Sequence, residues 1–515
     1  MVRRSNLTEQ RPNRVKANFV ANLLGRGGLA LIHLVTIPVL LRFFTTEEYG
    51  MIGLYLSFFP AFLAISMGLN AAYNRVTAQW QAGSFNDQDY HDLSLTLEIV
   101  CWGSGLVLFG ICILMSGPIS LRWLQAVQIP PETIQRLLML MAAALCFQVP
   151  LSLYIAGLNG LQIHIVPNIV LFVSFLLQGV GGIVIVGLIS QTLDAYFSWL
   201  VIVNGITVLT AKVVFWRCAP PGVRRHVRWV MLKVISGMTM GTGGGVILGV
   251  CLVHTDKVIL SGLLDLNTYG VYTLAWFVAA AIYLVANPMF TTVFPRMTEL
   301  LSQNAGAPLI RLYHSAHRYM GCLVFVPAFV VVFFPTEVLL AWTGEAYFAA
   351  SASVVLPLLM IGCLFNTLGY VPYAAQLAHG WASLALYMNA AALILYIPSV
   401  IILTHTYGAT GAAAAWAGLY ILFFPISLFL MHRRILQTEF VKVFTRDLIP
   451  IAFLVIGLLS LWKLAIPPNS DRLEVIFWLV TAGFSSMLLA LLSTRSFRQW
   501  IVSKLINQRK QIKNT

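Results

Sequence analysis

Glu47-Glu48-Tyr49-Gly50 opens an apolar run that closes on Arg75-Val76-Thr77, and Tyr269-Gly270 opens a second that closes on Arg296-Met297-Thr298. The two copies are offset by 220 residues at the tyrosine and 221 at the arginine, so one element length serves both. Long apolar halves built on one plan are the organisation of transporters, whose site is expected between the halves. Enzymes and receptors rarely need such duplication.

Outward from this repeat the chain stays apolar. Hydrophobic residues make up 59% of the 515, charged residues 10%, and the mean hydropathy is +0.83. A soluble domain carries ~25% charged residues, which excludes that class. A span needs ~20 apolar residues to cross a ~30 Å hydrocarbon core. Fourteen fit: 17–41, 50–72, 93–116, 134–157, 165–189, 196–216, 232–253, 269–293, 318–340, 352–377, 383–404, 409–431, 446–464 and 474–493. The segments between them leave no room for a soluble domain. In-span glycine and proline at helical spacing exclude a β-barrel, whose strands alternate over ~10 residues. The reading is an all-α polytopic membrane protein.

The net charge of +14 is placed by side. With an even number of spans both termini share one face, which collects 25 of the 32 lysines and arginines. The opposite face holds Arg42, Arg122, Lys257, Lys463 and Arg472, while Arg26 and Arg136 fall within spans. This is the positive-inside bias, and it predicts cytoplasmic termini. The basic loops are read as orientation signals that also touch anionic lipid, not as a nucleic-acid surface. The N-terminal apolar stretch is too long for a signal peptide and is read as the first span. Seven scattered cysteines form no CxxC, so no disulfide, metal or cofactor site is expected.

The domain plan is a basic N-terminus (1–16), a first six-span lobe (17–216), a linker (217–231), a second six-span lobe (232–431), and two further spans with a basic tail (432–515). The last two spans read as a lipid-facing accessory pair or a groove for a long lipid tail. Prolines punctuate many spans, among them Pro60, Pro150, Pro288, Pro372 and Pro398, and each removes a backbone donor. In the seventh span, Gly241-Thr242-Gly243-Gly244-Gly245 serves either close helix packing or a hinge.

Arg26 is the sharpest single residue. Nine positions inside the first span, at ~1.5 Å per residue, it lies ~14 Å deep. A guanidinium at that depth calls for a wet cavity or an anionic partner, or else locks two helices together through backbone carbonyls. Asn18, Asn22, Arg26, His33 and Thr36 share one helix face by spacing. Shorter polar stripes occur at Ser66, Asn70 and Asn74, at Gln148 and Ser152, and at Asn366, Tyr370 and Tyr373. Taken singly, each Asn or Ser is read as interhelical glue. Arg75 and Arg296 close the two repeat copies at the inner ends of their spans, as headgroup captors or as interfacial anchors. None of the eighteen acidic residues falls near a span centre; Glu98, Asp194, Asp256 and Asp265 sit at predicted ends. A buried cation without buried acids suits an anion, and the planar fork of arginine matches phosphate oxygens.

From Asn18 to Thr46, then through Glu47-Glu48-Tyr49-Gly50 and Gly68-Leu69-Asn70 to Arg75, the chain resembles polysaccharide-export flippases of the Wzx type. Thr255-Asp256-Lys257-Val258-Ile259-Leu260, followed by Tyr269-Gly270-Val271-Tyr272, carries the same resemblance. It covers roughly residues 15 to 430, and the last two spans fit the fourteen-span branch. The same superfamily holds multidrug MATE exporters and the lipid II flippase. The resemblance implies two pseudo-symmetric, MATE-like six-helix lobes plus two extra C-terminal helices, working by alternating access around a basic cavity. It implies transport of undecaprenyl-pyrophosphate-linked oligosaccharide to the periplasmic leaflet of a bacterial inner membrane, alongside a polysaccharide polymerase and a chain-length regulator. It implies a basic residue in the first span, matched by Arg26. It also implies an Asp-Arg pair after the seventh span, here Asp256-Lys257, where lysine keeps the charge and loses the bidentate fork. The rival expectations are a cation-coupled drug exporter of the same fold, which would need buried acids, and a membrane-embedded polymerase, which would need a long outer loop.

Overall fold

The computed structural model describes residue 32 and residues 35–163, 165–219, 226–467, 471–494 and 498. Every regular element in them is a helix, apart from one isolated bridge between Gln125 and Asp265. In chain order the longer α-helices are α1 (Thr46–Gln81), α2 (Asp87–Pro118), α3 (Pro131–Cys146), α4 (Gln148–Gly160), α5 (Ile165–Leu176), α6 (Gly182–Leu188), α7 (Leu193–Cys218), α8 (Leu232–Leu263) and α9 (Leu266–Ala280). There follow α10 (Tyr283–Ser302), α11 (Gly306–Phe333), α12 (Pro335–Thr343), α13 (Val355–Leu368), α14 (Tyr370–Ala378), α15 (Ser383–Arg434), α16 (Ile449–Ala465) and α17 (Arg472–Ser493). Ten helices or joined helix pairs among the described residues are long and apolar enough to cross a membrane. The protein is a multi-pass membrane protein. Each span expected from the second to the fourteenth coincides with a helix or a pair, whereas the first lies largely outside the described residues.

Local chemistry explains several boundaries. Thr45 starts α1 with a capping box: its hydroxyl accepts from the Glu48 N–H, and the Glu48 carboxylate accepts from the Thr45 N–H at 2.8 Å. The span expected over 134–157 breaks at Phe147, three residues before Pro150, whose ring nitrogen cannot donate to the Cys146 carbonyl. The span expected over 352–377 breaks the same way at Gly369, three residues before Pro372. Those two prolines are offset by 222 residues, which extends the repeat beyond its quoted motifs. The eleventh and twelfth expected spans are joined in α15 and separated by Gly408, whose φ of 59° favours glycine. By contrast, α8 runs as unbroken helix through Gly241–Gly245.

The chain divides into two compact units, Met1–Gly270 and Val271–Thr515. In the first, α1 packs against α4 and α8, and α7 packs against α3 and α4. Its core is aromatic: Tyr73 stacks on Tyr90, Trp80 stacks on Tyr90, and Phe215 meets Tyr73 edge-on. Gly157 and Gly160 let α4 approach, since a Cβ on Gly160 would stand 2.6 Å from Thr77. Lipid tails are as apolar as these side chains, so close packing and hydrogen bonds hold the helices together more than escape from water does.

In the second unit α13 packs on α15, α10 on α14, and α11 on α13, α16 and α17. Trp416 is fully buried among Trp276, Tyr396 and Tyr420, and Gly362 makes room for its indole. The last two helices are pinned through helix ends. Lys463 donates to the Phe333 carbonyl at 2.7 Å, and Arg472 donates to the Ala341 carbonyl at 3.0 Å. Both cations thereby satisfy orphan carbonyls at the C-termini of α11 and α12.

Candidate functional site

Asp256 and Lys257 lie in the last third of α8 and are buried, at 0% and 1% exposure. Their side chains form an ion pair at 2.9 Å, and the ammonium also donates to the Val253 carbonyl at 2.7 Å. Two charges out of water hold only when paired and hydrogen-bonded, and this dipeptide supplies both conditions. In this conformation neither charge is presented to a ligand.

On α1 the polar stripe turns toward a neighbouring helix. Asn70 donates to Ser66 at 3.4 Å, and Ser152 of α4 donates to the same Ser66 oxygen at 2.8 Å. Asn74 is half-buried, and the α4 glycine at 160 sits against its carbonyl. One position further on, Arg75 is exposed and makes no ion pair or hydrogen bond among the described residues. Asn22, Arg26 and His33 lie outside the described residues. Thr36, from the same predicted stripe, is buried against Gly179.

Sequence reasoning missed the centre of a second network. Asn204 of α7 accepts from Gln148 at 3.0 Å and from Gln178 at 3.2 Å, and donates toward the Tyr55 hydroxyl at 3.4 Å. Thr207 donates to Ser174 at 2.8 Å, and Gln178 donates to the same serine at 3.0 Å. Gln148 was visible as half of a stripe. Asn204 stands alone among apolar neighbours in sequence, and only the fold supplies its partners.

The second unit gathers an aromatic ledge beside a polar helix face. Asn366 donates to the Tyr283 hydroxyl at 2.9 Å, and Tyr283 stacks on Tyr370 at 6.2 Å between centroids. Phe290 stacks on Tyr373 at 5.6 Å and meets Tyr370 edge-on. The expected trio Asn366, Tyr370 and Tyr373 is therefore brought together, joined by Tyr283 and Phe290 of α10. Along α10 the residues Asn287, Thr291 and Thr292 are exposed, and the helix carries Arg296 one turn beyond. Arg296 is half-exposed and pairs with Glu299 at 2.5 Å. Half-buried rings present apolar faces, while the neighbouring amide, hydroxyls and guanidinium bind oxygen. Such a surface is suited to sugar rings and anions.

The buried acids are all answered locally. Glu47 accepts backbone N–H groups from Val127 and Gln128 at 2.7 and 2.8 Å. Asp92 accepts from the His226 N–H and faces Arg228, and Glu98 pairs with Lys212 at 2.7 Å and accepts from Trp216. Asp256 has Lys257, Glu439 has Lys442 and His314, and Asp447 has Arg318 and His314. Each of the six buried carboxylates among the described residues has its own cation or N–H donors.

No family model matches the chain. In sequence it is 24% identical over 172 residues to a Shigella flexneri protein described as a "Putative O-antigen transporter", a match covering 32% of this chain and 39% of that one. In structure it is similar to the lipid II flippase MurJ in an inward closed conformation, with a TM-score of 0.70, 14% identity and coverage of 94% and 99% of the two chains. It is also similar to an inward-facing multidrug resistance MATE family transporter of the MOP superfamily, with a TM-score of 0.63, 13% identity and coverage of 79% and 95%. The fold is the one these membrane transporters share.

Proposed function

We propose that this chain flips an oligosaccharide linked through pyrophosphate to a long isoprenoid lipid, from the cytoplasmic to the outer leaflet of a bacterial inner membrane. The reading is transport without chemical change of the substrate, with both termini in the cytoplasm and surface-polysaccharide assembly downstream. A polymerase and a chain-length regulator are the expected partners. The observation that carries it is the sequence match to a protein described as a "Putative O-antigen transporter", on a fold shared with a lipid II flippase.

Physical chemistry supports the same substrate. A sugar-phosphate headgroup cannot cross hydrocarbon alone, whereas its tail can remain in the bilayer throughout. The aromatic ledge of Tyr283, Phe290, Tyr370 and Tyr373 suits the apolar faces of sugars, and Arg26, Arg75 and Arg296 are the cations for the pyrophosphate. A pyrophosphate carrying ~2 negative charges gains roughly 4–5 kcal/mol on moving outward down ~100 mV, which assists export without a buried proton carrier. In this reading Asn22, His33, Asn70 and Asn74 line the polar route, and Asp256-Lys257 supplies charge when the α8 environment opens.

The second reading is a cation-coupled drug exporter, favoured by the similarity to a MATE transporter. The locally neutralised carboxylates weigh against it, because a cationic drug or a coupling proton needs an acid free to receive it. Proteoliposomes separate the two. Lipid-linked oligosaccharide loaded in one leaflet should become accessible to a membrane-impermeant lectin only when the protein is present. Ethidium extrusion driven by a proton gradient, without lectin accessibility, would instead establish the exporter.

A further inference from the structure

A cleft of about 480 Å³ opens in the second unit between the start of α11 and the π-helical turn Val443–Leu448 that precedes α16. Arg311, His314, Arg318, Lys442, Arg446 and Asp447 line it. Arg318 binds Asp447 at 2.7 Å, and Lys442 binds Glu439 at 2.9 Å. His314 sits between the two acids: Nδ1 contacts Asp447 and Nε2 lies 2.9 Å from Glu439. An imidazole that donates from both nitrogens is an imidazolium. Five cations thus face two carboxylates, and two cations have no local partner. Arg311 and Arg446 are exposed, and neither makes an ion pair or hydrogen bond among the described residues.

We infer that this cleft binds the phosphate of an anionic lipid headgroup. Two forked guanidinium groups on opposite walls match phosphate oxygens, and the bound acids have already spent their charge on other cations. The flank points to lipid as the source. One turn beyond Arg446 the surface becomes exposed Ile449 and Pro450, and then Phe453 at 72% exposure, an apolar track for acyl chains. Free phosphate would leave that track unused. In the orientation set by the basic residues the cleft lies at the cytoplasmic leaflet, where basic pockets between helices meet anionic headgroups. The site holds α16, which is outside the duplicated region, against α11. None of its lining residues belongs to the substrate route proposed above.

Native mass spectrometry of the full-length protein in detergent tests this with phosphatidylglycerol and phosphatidylcholine as probes. Phosphatidylglycerol should be retained and phosphatidylcholine stripped. Arg311→Ala with Arg446→Ala should weaken phosphatidylglycerol binding about thirtyfold, from the usual contribution of two surface cations to anionic-lipid attraction. Both side chains are exposed and unpaired, so the variant should fold, and Arg311→Lys with Arg446→Lys should keep most of the binding. Equal retention of both lipids, or undiminished phosphatidylglycerol binding by the alanine pair, would overturn the site. If millimolar inorganic phosphate raises the melting temperature as far as phosphatidylglycerol does, the ligand is free phosphate and the lipid assignment falls.

Discussion

Gly50 and Gly270, the glycines that open the two repeat copies, stand against each other. A Cβ on Gly270 would lie 2.6 Å from the Thr46 carbonyl oxygen and 3.1 Å from the Gly50 nitrogen, and one on Gly50 would lie 2.3 Å from the Leu266 carbonyl oxygen. Both neighbouring tyrosines are fully buried, and the Tyr269 hydroxyl donates to Ser57 of α1 at 3.2 Å. The first turns of α1 and α9 therefore cross backbone to backbone, which only glycine allows. The Tyr-Gly pair recurs in sequence because the crossing is made by both copies.

It follows that Gly50→Ala and Gly270→Ala should each destabilise the protein by about 1–3 kcal/mol, the usual range for overpacking a close contact. The double variant should cost less than the sum, since one displaced crossing relieves both. Thermal denaturation of the two single variants and the double checks this. Strict additivity would mean that the glycines do not share one contact.

A second joint lies beside that crossing. The Glu47 carboxylate collects the N–H groups of Val127 and Gln128, the Leu266 N–H donates to the Gln125 carbonyl, and Trp123 donates to Ser261. Glu47→Gln turns one acceptor oxygen into a donor facing donors. The expected loss is about 1–3 kcal/mol, the cost of a buried polar group left unmatched. An unchanged melting temperature in Glu47→Gln would show that the 125–129 segment is held by other contacts.

Orientation is open to a direct test. Val127 is 87% exposed beside that joint, and Gln437 is exposed between α15 and α16. The basic-residue asymmetry places the first outside and the second inside. With the native cysteines replaced, Val127→Cys should react with an impermeant maleimide in whole cells, and Gln437→Cys only after lysis. The opposite pattern would invert the topology.

Much of the architecture was legible because membrane spans obey a single strong rule, apolar length, and prolines mark their breaks. Pro150 and Pro372 end a helix segment three residues upstream, and both were visible in the sequence. The glycine crossing was visible only as a recurring dipeptide, because a sequence shows that a position is small without showing what approaches it. Asn204 was invisible, since its partners Gln148, Gln178 and Tyr55 come from three other helices. Glu47 was visible only as part of the Glu47-Glu48-Tyr49-Gly50 motif and not as the acceptor of backbone groups some eighty residues away.

Arg26 carries the boldest expectation from sequence. A guanidinium ~14 Å into a span is costly unless it serves an anion. Arg26→Ala should abolish lectin accessibility of lipid-linked oligosaccharide while membrane levels stay normal, and Arg26→Lys should restore part of it. Full activity in Arg26→Ala would return this residue to a packing role.

Arg75 and Arg296 occupy matching places in the two repeat copies, yet their surroundings differ. Arg75 is exposed without a partner among the described residues, whereas Arg296 is held by Glu299 at 2.5 Å. If both receive the headgroup of the proposed substrate, Arg75 is ready and Arg296 must first leave its carboxylate. An exposed pair of this kind is screened by water and contributes little, so release limits binding only mildly. Arg75→Ala should therefore weaken binding of lipid-linked oligosaccharide more than Arg296→Ala does. Glu299→Gln should strengthen it modestly, because the guanidinium no longer has to leave a carboxylate. If one headgroup contacts both cations at once, the double arginine variant should depart from additivity. If both residues only anchor their helices at the interface, each loss shifts insertion slightly and Glu299→Gln changes nothing. Equilibrium binding to the four purified variants decides between these accounts, and unchanged affinity across all four would end the capture model.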